Sequence, residues 1–452
     1  MNAGDPQVPS RADEVRTHDL TPAEIEARLQ WSRRQGYVAW FWSDVPIDGW
    51  RACLLEIERV STLLLRDAQS TLDGAARAAE IPQLCLPGGA DARALGIAAF
   101  TSGMGPLLGY WIECGRLRAS SDIMFLLAHH LGHSRRRAHR MRVATDAALD
   151  TLAAIGLRPI LVKAAHTSRT LFEEPGLRPA ADIDLVVESS RFQEAETALA
   201  RAGYHLVKRQ HDPRKSDWAP PGSPATLRSL DLTHEENPFT LEIHASLDRE
   251  FYGVRILRFG SSANLGVIAA PEFHPQARTL AQPLLTAYLA AHASEELHQL
   301  QLVRLVELAL LLRRDAVAGI LDWSKLDSLL TDRAAHRFTY PAFSLVERLA
   351  PGTIDPWFLA RLERFASGRM KTVLERMSPA TAQRLDELSL DERFLWAESS
   401  LDVARRILHL FRPPRDGRSI ARHWTDRLTR LLRGRVSIRR DAPGVGSGPS
   451  ER

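Results

Sequence analysis

The sequence predicts an α+β fold in which a small mixed sheet is flanked by N- and C-terminal helical regions. Three observations carry that expectation. Before residue 155, apolar side chains recur at helical spacing, as in the stripe Leu54, Ile57, Val60, Leu63 and Leu64. Between residues 159 and 246, short aliphatic runs bounded by Gly, Pro and polar clusters read as strands, with a helical stretch among them. From Pro283 onward the helical period returns.

Residues 1 to about 20 are polar and carry Gly4, Pro6 and Pro9, which predicts a disordered lead-in. Thr21-Pro22-Ala23-Glu24 is a capping-box pattern with Pro at the first helical position, and Ile25, Leu29 and Trp31 follow it. Helical segments are expected from Gly49 to Leu72, from Asp91 to Leu117 and from Ser121 to about Ile155. The last of these carries His129, His130, His133 and His139 beside Arg135, Arg136 and Arg137. His-Glu-x-x-His is absent and no Cys or carboxylate stands at ligand spacing, so a solvated or partner-facing helix is expected there.

A strand at Pro159 to Lys163 leads through a polar connection to a second strand carrying Asp182 and Asp184. A helix from Ser190 to Ala202, stopped by Gly203, and a strand at Tyr204 to Val207 complete a β-helix-β unit. Gln210 to Thr226, with Pro213, Pro220, Pro221 and Pro224, reads as a loop over the site. Leu227 to Thr233 and Phe239 to Ser246 have hairpin spacing. Helices are expected at Leu284 to Leu297, Gln301 to Arg314, Trp323 to Leu330 and beyond Ala334. The expected divisions are a lead-in at 1–20, helices at 21–120, a core at 121–270, a helical domain at 271–412 and a basic end at 413–452.

The chain has 452 residues, of which 44% are hydrophobic and 25% charged, enough for two or three ordinary globular domains. Cys53, Cys85 and Cys114 stand far apart, which argues against a zinc or disulfide framework and predicts three small buried hydrophobes. No basic-then-apolar leader is seen and no apolar run reaches the roughly 18 residues of a membrane span, so a cytoplasmic location is expected. The formal charge is +4, yet twelve arginines face four aspartates between Asp402 and Asp441, so the rest of the chain is net negative. Within that end, Ser419 to Arg433 forms a basic amphipathic pattern, suited to packing on the body or to binding RNA or an acidic partner. The tail from Ala442 is disordered by composition.

Asp182 and Asp184, two positions apart on a strand, point to one face. Paired acids sharing a space are costly unless something positive lies between them, most simply a divalent cation. In Phe239 to Ser246, Leu241, Ile243 and Ala245 take one face while Glu242 and His244 take the other, adding a third carboxylate. Three converging carboxylates suit Mg²⁺ or Mn²⁺, and Lys163 and Arg178 could neutralise a triphosphate. Such a site favours in-line attack on a phosphoryl group.

The span Lys163-Ala164-Ala165, then Pro175-Gly176-Leu177-Arg178-Pro179-Ala180-Ala181-Asp182-Ile183-Asp184-Leu185-Val186-Val187, resembles the signature of the bacterial uncharacterised nucleotidyltransferase family within the DNA polymerase β-like superfamily. Ala202-Gly203-Tyr204, Leu241-Glu242-Ile243-His244, His292 and Asp322-Trp323 extend the resemblance, which covers roughly Ser121 to Leu330. It implies a polymerase β-like core and transfer of NMP from an NTP such as ATP to a small molecule, protein or RNA. It further implies that Asp182 and Asp184 bind the metals and that Glu242 completes the metal site and helps deprotonate the acceptor. Lys163 is implied as a phosphate contact, Arg178 as a structural member with a phosphate role, and His244 as a group orienting Glu242. One departure stands out. Ala164 replaces the family's Gly, whose missing Cβ lets backbone N–H groups approach a triphosphate; Ser168 or Thr167 could supply a hydroxyl instead. The competing expectations are a nucleotide-binding or regulatory protein with weakened catalysis, and an RNA-directed transferase guided by the basic end.

Overall fold

Helical periodicity in the first third yields, among the described residues, the helices α1 (Ile47–Leu72), α2 (Ala92–Thr101), α3 (Gly105–Glu113) and α4 (Ser121–Ala153). The computed structural model describes residues 45–72, 81–211, 214–224, 234–260, 266–382 and 389–411. The expected lead-in, the Thr21 capping box, the strand at Leu227 to Thr233 and the basic helix and tail after Pro413 lie outside the described residues. The stretch expected as one helix from Asp91 to Leu117 is divided. Asp91 caps α2 by accepting from Ala94 N at 2.7 Å, and Pro106 opens α3 in the first turn, where its missing N–H costs nothing.

Helix α3 lies directly against α4. A Cβ added at Gly109 would sit 2.5 Å from the carbonyl oxygen of Leu127, which is backbone and cannot swing away. Gly109→Ala is therefore expected to destabilise the protein by about 1–3 kcal/mol, read by denaturant unfolding. An unchanged midpoint would mean that α3 and α4 separate freely.

The strands are β1 (Ile160–Val162), β2 (Asp182–Val186), β3 (His205–His211), β4 (Arg214–Ala219), β5 (Thr240–His244), β6 (Arg249–Phe251), β7 (Arg255–Leu257), β8 (Val267–Ala269) and β9 (Arg278–Leu280). Seven form one mixed sheet in the order β3-β4-β5-β2-β1-β9-β8, and β6 and β7 pair separately. Helices α5 (Ala164–Thr170) and α6 (Phe192–Arg201) fall between the first three strands. After the sheet come α7 (Leu284–Glu295), α8 (Leu302–Val317), α9 (Trp323–Asp332), α10 (His336–Leu349), α11 (Pro356–Glu363), α12 (Gly368–Glu375), α13 (Leu390–Arg393) and α14 (Ser400–Phe411).

Among the described residues the apolar side chains gather in two cores. Leu161, Ile183, Leu185, Trp218, Leu241 and Ile243 on one sheet face pack with Leu149 and Leu152 of α4 and with Phe192 and Leu199 of α6. A larger core joins the N-terminal helices to α7–α12 and includes Ile160 and Val162 of β1. Helix α7 is buried from Leu284 through Ser294, as expected of a helix apolar on nearly every side. Because one sheet face is committed to α4 and α6, side chains of the alternate register must look toward the C-terminal helices.

Three expectations are corrected. The stretch Gln210 to Thr226 is not wholly loop, since 214–219 is β4, an interior strand of the sheet. Its Ser216 and Trp218 are buried while Lys215 and Asp217 alternate with them, a strand period that the surrounding prolines and charges obscure in sequence. The polar connection after Lys163 holds α5, because Lys163 O accepts from His166 N and Thr167 N and starts a helical turn. Of the three cysteines only Cys53 is buried; Cys85 and Cys114 are exposed. Among the described residues no single helix is long and apolar enough to cross a membrane.

Candidate active site

Strand register gathers the charged residues. Parallel pairing of β2 with β5 sets Asp184 opposite Glu242 and Val186 opposite His244. Antiparallel pairing of β4 with β5 sets Asp217 opposite Glu242 and Lys215 opposite His244. Asp182, Asp184, Glu242, His244, Lys215 and Asp217 thus share the sheet face opposite the α4–α6 core. Asp184, 1% exposed, lies at the centre, with Lys163 Nζ at 2.7 Å and His244 Nε2 at 2.9 Å from its Oδ1. His244 Nε2 is also 3.5 Å from Glu242 Oε2, which receives a hydrogen bond from Lys215. Lys215 Nζ lies 3.5 Å from Asp217.

The two strand acids are shifted in opposite directions. Burial, and then the neighbouring Asp184 charge, push Asp182 up to about 6. Burial opposes charge on Asp184 as well, yet Lys163 and hydrogen bonding from His244 hold it well below the usual carboxylate range. Glu242 is lowered in spite of burial, by the hydrogen bond from His244 and by the two lysines. Burial works to lower Lys163 and Lys215, but their carboxylate partners win and both are raised.

One ligand atom each from Asp184, Glu242 and His244 falls within 4.8 Å of the others, a buried set that could hold a metal ion. The donors, two carboxylate oxygens and an imidazole nitrogen, fit a small divalent cation. The profile of a protein family described as uncharacterised nucleotidyltransferase matches residues 88–351, more than half of the chain and all of this constellation. The chain belongs to that nucleotidyltransferase family. No curated protein and no solved structure matches it.

In this nucleotidyltransferase family member, the alanine after the lysine adopts its backbone conformation without strain. Ala164 begins α5 with φ outside the left-handed region, and it is buried at 6% exposure. The positive φ falls one residue earlier, on Lys163 (φ 53°, ψ −139°), a region that side chains rarely adopt and that costs about 1–3 kcal/mol. Its ion pair with Asp184 holds the strained residue in place.

Arg178 is not directed at the acids. Its Nη2 lies 3.0 Å from Glu307 of α8, and its Nη1 donates to Pro179 O. Glu307 also accepts from Thr167 Oγ1, so α5, the Pro175–Arg178 turn and α8 meet at one buried carboxylate. Gly176 makes the turn possible: an added Cβ would come within 3.0 Å of Arg135 Cα, and Ser134 Oγ donates to Gly176 O at 2.6 Å. Ser168 Oγ turns back to Ala164 O within its own helix and supplies no hydroxyl to the acids. Ala164, Ala165, Ser168, Arg178 and Asp182 line a cleft against α4.

Sequence reasoning located Asp182, Asp184, Glu242, His244 and Lys163, which the structure brings together. It missed Lys215 and Asp217, whose signal was the alternation Lys-Ser-Asp-Trp-Ala between Pro213 and Pro220. It also missed Glu307, which holds Arg178, and the arginines Arg249 and Arg304, which come near Lys163 and Asp182 only through tertiary packing.

Asp182 predicts a pH dependence. With the carboxyl raised to about 6, a proton would compete with any divalent cation that Asp182 helps to hold, so divalent-ion affinity is expected to rise as pH increases through about 6. Below that point the affinity should fall by up to about ten-fold per pH unit. Mn²⁺ titration across pH 5–8 checks this, and Asp182→Asn should flatten the profile.

Proposed function

We propose that the protein is a metal-dependent nucleotidyltransferase that moves NMP from an NTP to an acceptor hydroxyl or amine. The observation that carries this reading is the convergence of Asp184, Glu242 and His244 beside Asp182 and Lys163, in a chain of this family. Asp182, Asp184 and Glu242 would hold Mg²⁺ or Mn²⁺, with His244 aligned on the last two. When bound, the cation neutralises phosphate charge and stabilises the attacking and leaving oxygens.

The chain's own residues do the rest. Lys163 fixes Asp184 in its ionised form, and Lys215 does the same for Glu242. His244, hydrogen-bonded to Asp184 and 3.5 Å from Glu242 Oε2, lies between their oxygens in the shared space. The acceptor oxygen or nitrogen attacks the α-phosphorus, the bond to pyrophosphate breaks, and the Glu242 carboxylate takes the acceptor proton. The burial of these groups excludes water that would otherwise compete as acceptor.

A second reading, a nucleotide-binding protein with weakened catalysis, draws on the two ammonium groups that already neutralise Asp184 and Glu242. One experiment separates the two. Each NTP is titrated with and without Mg²⁺, and pyrophosphate release is followed with mixed small-molecule, peptide and RNA acceptors. The transfer reading expects Mg²⁺-dependent binding and release, both lost in Asp182→Ala. Tight binding with no release in any acceptor mixture favours the second reading.

A further inference from the structure

The helical wall of the site contains a hydrogen-bonding conflict. His292 of α7 is 6% exposed; its Nδ1 lies 2.5 Å from Arg249 Nη2 and its Nε2 lies 3.4 Å from Arg304 Nη1. A guanidinium only donates, and a neutral imidazole accepts at one nitrogen while donating from the other. Whichever nitrogen accepts, the other directs its N–H at an arginine N–H. A protonated ring would do so on both sides. No tautomer or charge state of His292 removes the contact, and an acceptor oxygen that receives hydrogen bonds from both donors would.

Other groups point the same way. The buried Nε of Arg304 and the buried Nε of Arg178 have no hydrogen-bond acceptor among the described residues. Tyr288 stacks on His292 with ring planes 17° apart, which holds the imidazole edge toward the arginines. Glu295 and Glu296 grip Arg249 and Arg304 from one side, but Glu296 Oε1 stands 3.8 Å from His292 Nδ1, too far to accept from it. Burial, then Arg249, Lys163, Arg304 and Arg178, press His292 well below its ordinary range, so these positive groups lie around one ring. Arg304 in turn acts on Asp182, which sets this wall beside the strand acids.

We propose that Arg249, His292 and Arg304, beside Lys163, form a seat for the terminal phosphoryl groups of the nucleotide. The inference rests on the nucleotidyl-transfer reading and deepens it. A polyphosphate chain has several anionic oxygens and can accept from all these donors at once, which a lone carboxylate cannot. The seat holds the part of the substrate that leaves as pyrophosphate, while the acids face the α-phosphorus. A triphosphate is therefore preferred over a monophosphate.

The test uses the full chain, with Mg²⁺ present, and titrates inorganic tripolyphosphate, each NTP and the corresponding NMP by calorimetry. Wild-type protein is expected to bind tripolyphosphate and NTP at least about ten-fold more tightly than NMP. Arg304→Gln and, separately, Arg249→Gln should weaken tripolyphosphate and NTP about ten- to a hundred-fold while leaving NMP affinity unchanged. Arg304→Lys should recover part of the loss. Amide exchange on the wild-type chain gives a readout that no variant's folding can spoil: tripolyphosphate should protect Tyr288–Glu296 and the first turns of α8. A folded Arg304→Gln protein that binds NTP as wild type does would overturn the seat and leave the transfer reading intact. Protection confined to other segments would overturn it too. Tripolyphosphate bound through Arg304, with no NTP bound and no pyrophosphate released, would keep the seat and sink the transfer reading.

Discussion

Asp184→Ala is expected to abolish divalent-ion binding and to lower stability by about 3–5 kcal/mol, the usual loss when one partner of a buried ion pair is removed. The carboxylate is 1% exposed and receives Lys163 Nζ at 2.7 Å and His244 Nε2 at 2.9 Å. Without it a buried ammonium loses its hydrogen-bonded counter-charge, and Lys163 keeps a strained φ of 53° without the ion pair that anchors its side chain. Asp184→Asn preserves the shape and one acceptor, so its loss of stability should be smaller while metal binding still fails. The pH dependence follows from the direction of the shift. The folded carboxyl sits below its unfolded value, so its contribution is present above about pH 4 and is lost as pH falls through the depressed range. Asp182 behaves oppositely: its raised value makes stability fall as pH climbs from about 4 to about 6. Denaturant unfolding of wild type and both Asp184 variants, with Mn²⁺ titration alongside, reads these effects. An Asp184→Ala protein within 1 kcal/mol of wild type, by the same measure, would mean that Lys163 finds another partner.

Glu307→Gln should cost a comparable amount, about 3–5 kcal/mol, though Glu307 touches none of the strand acids. Its 3%-exposed carboxylate is the counter-charge of Arg178 at 3.0 Å and the acceptor for Thr167 Oγ1. It therefore ties α8 both to α5 and to the Pro175–Arg178 turn that precedes Asp182. The amide cannot neutralise the guanidinium, which is itself 8% exposed. Replacing both partners by apolar residues, Arg178→Met with Glu307→Leu, should recover most of the stability, because neither charge is then left buried alone. A double variant as unstable as the sum of the singles would show that the two residues act independently. Loss of the tie should also impair function, since the turn positions β2.

Much of this architecture was legible from local pattern. The helices α1, α4, α7 and α8 carry apolar stripes or apolar interiors, and the i, i+2 spacing of Asp182 with Asp184 and of Glu242 with His244 assigns each pair to one sheet face. The signature from Pro175 to Val187 was legible too, down to Gly176, whose hydrogen in place of a Cβ lets the turn approach α4. Strand β4 was hidden because its alternation is five residues of signal among prolines and cations, and its burial comes from pairing with β5 rather than from apolar composition. The direction of Arg178 was equally out of reach, because its partner Glu307 lies in a helix more than a hundred residues downstream.

The sequence by itself determined which residues alternate onto a common face, since side-chain direction along a strand follows from backbone geometry alone. Only the tertiary structure decided which face of which strand meets which partner. It set Lys163 and Lys215 on the acids, turned Arg178 away to Glu307, and brought Arg249, His292 and Arg304 to the same place. Charges respond to neighbours in space, not in sequence, so the protonation states of Asp182 and Asp184 exist only once those neighbours are assembled.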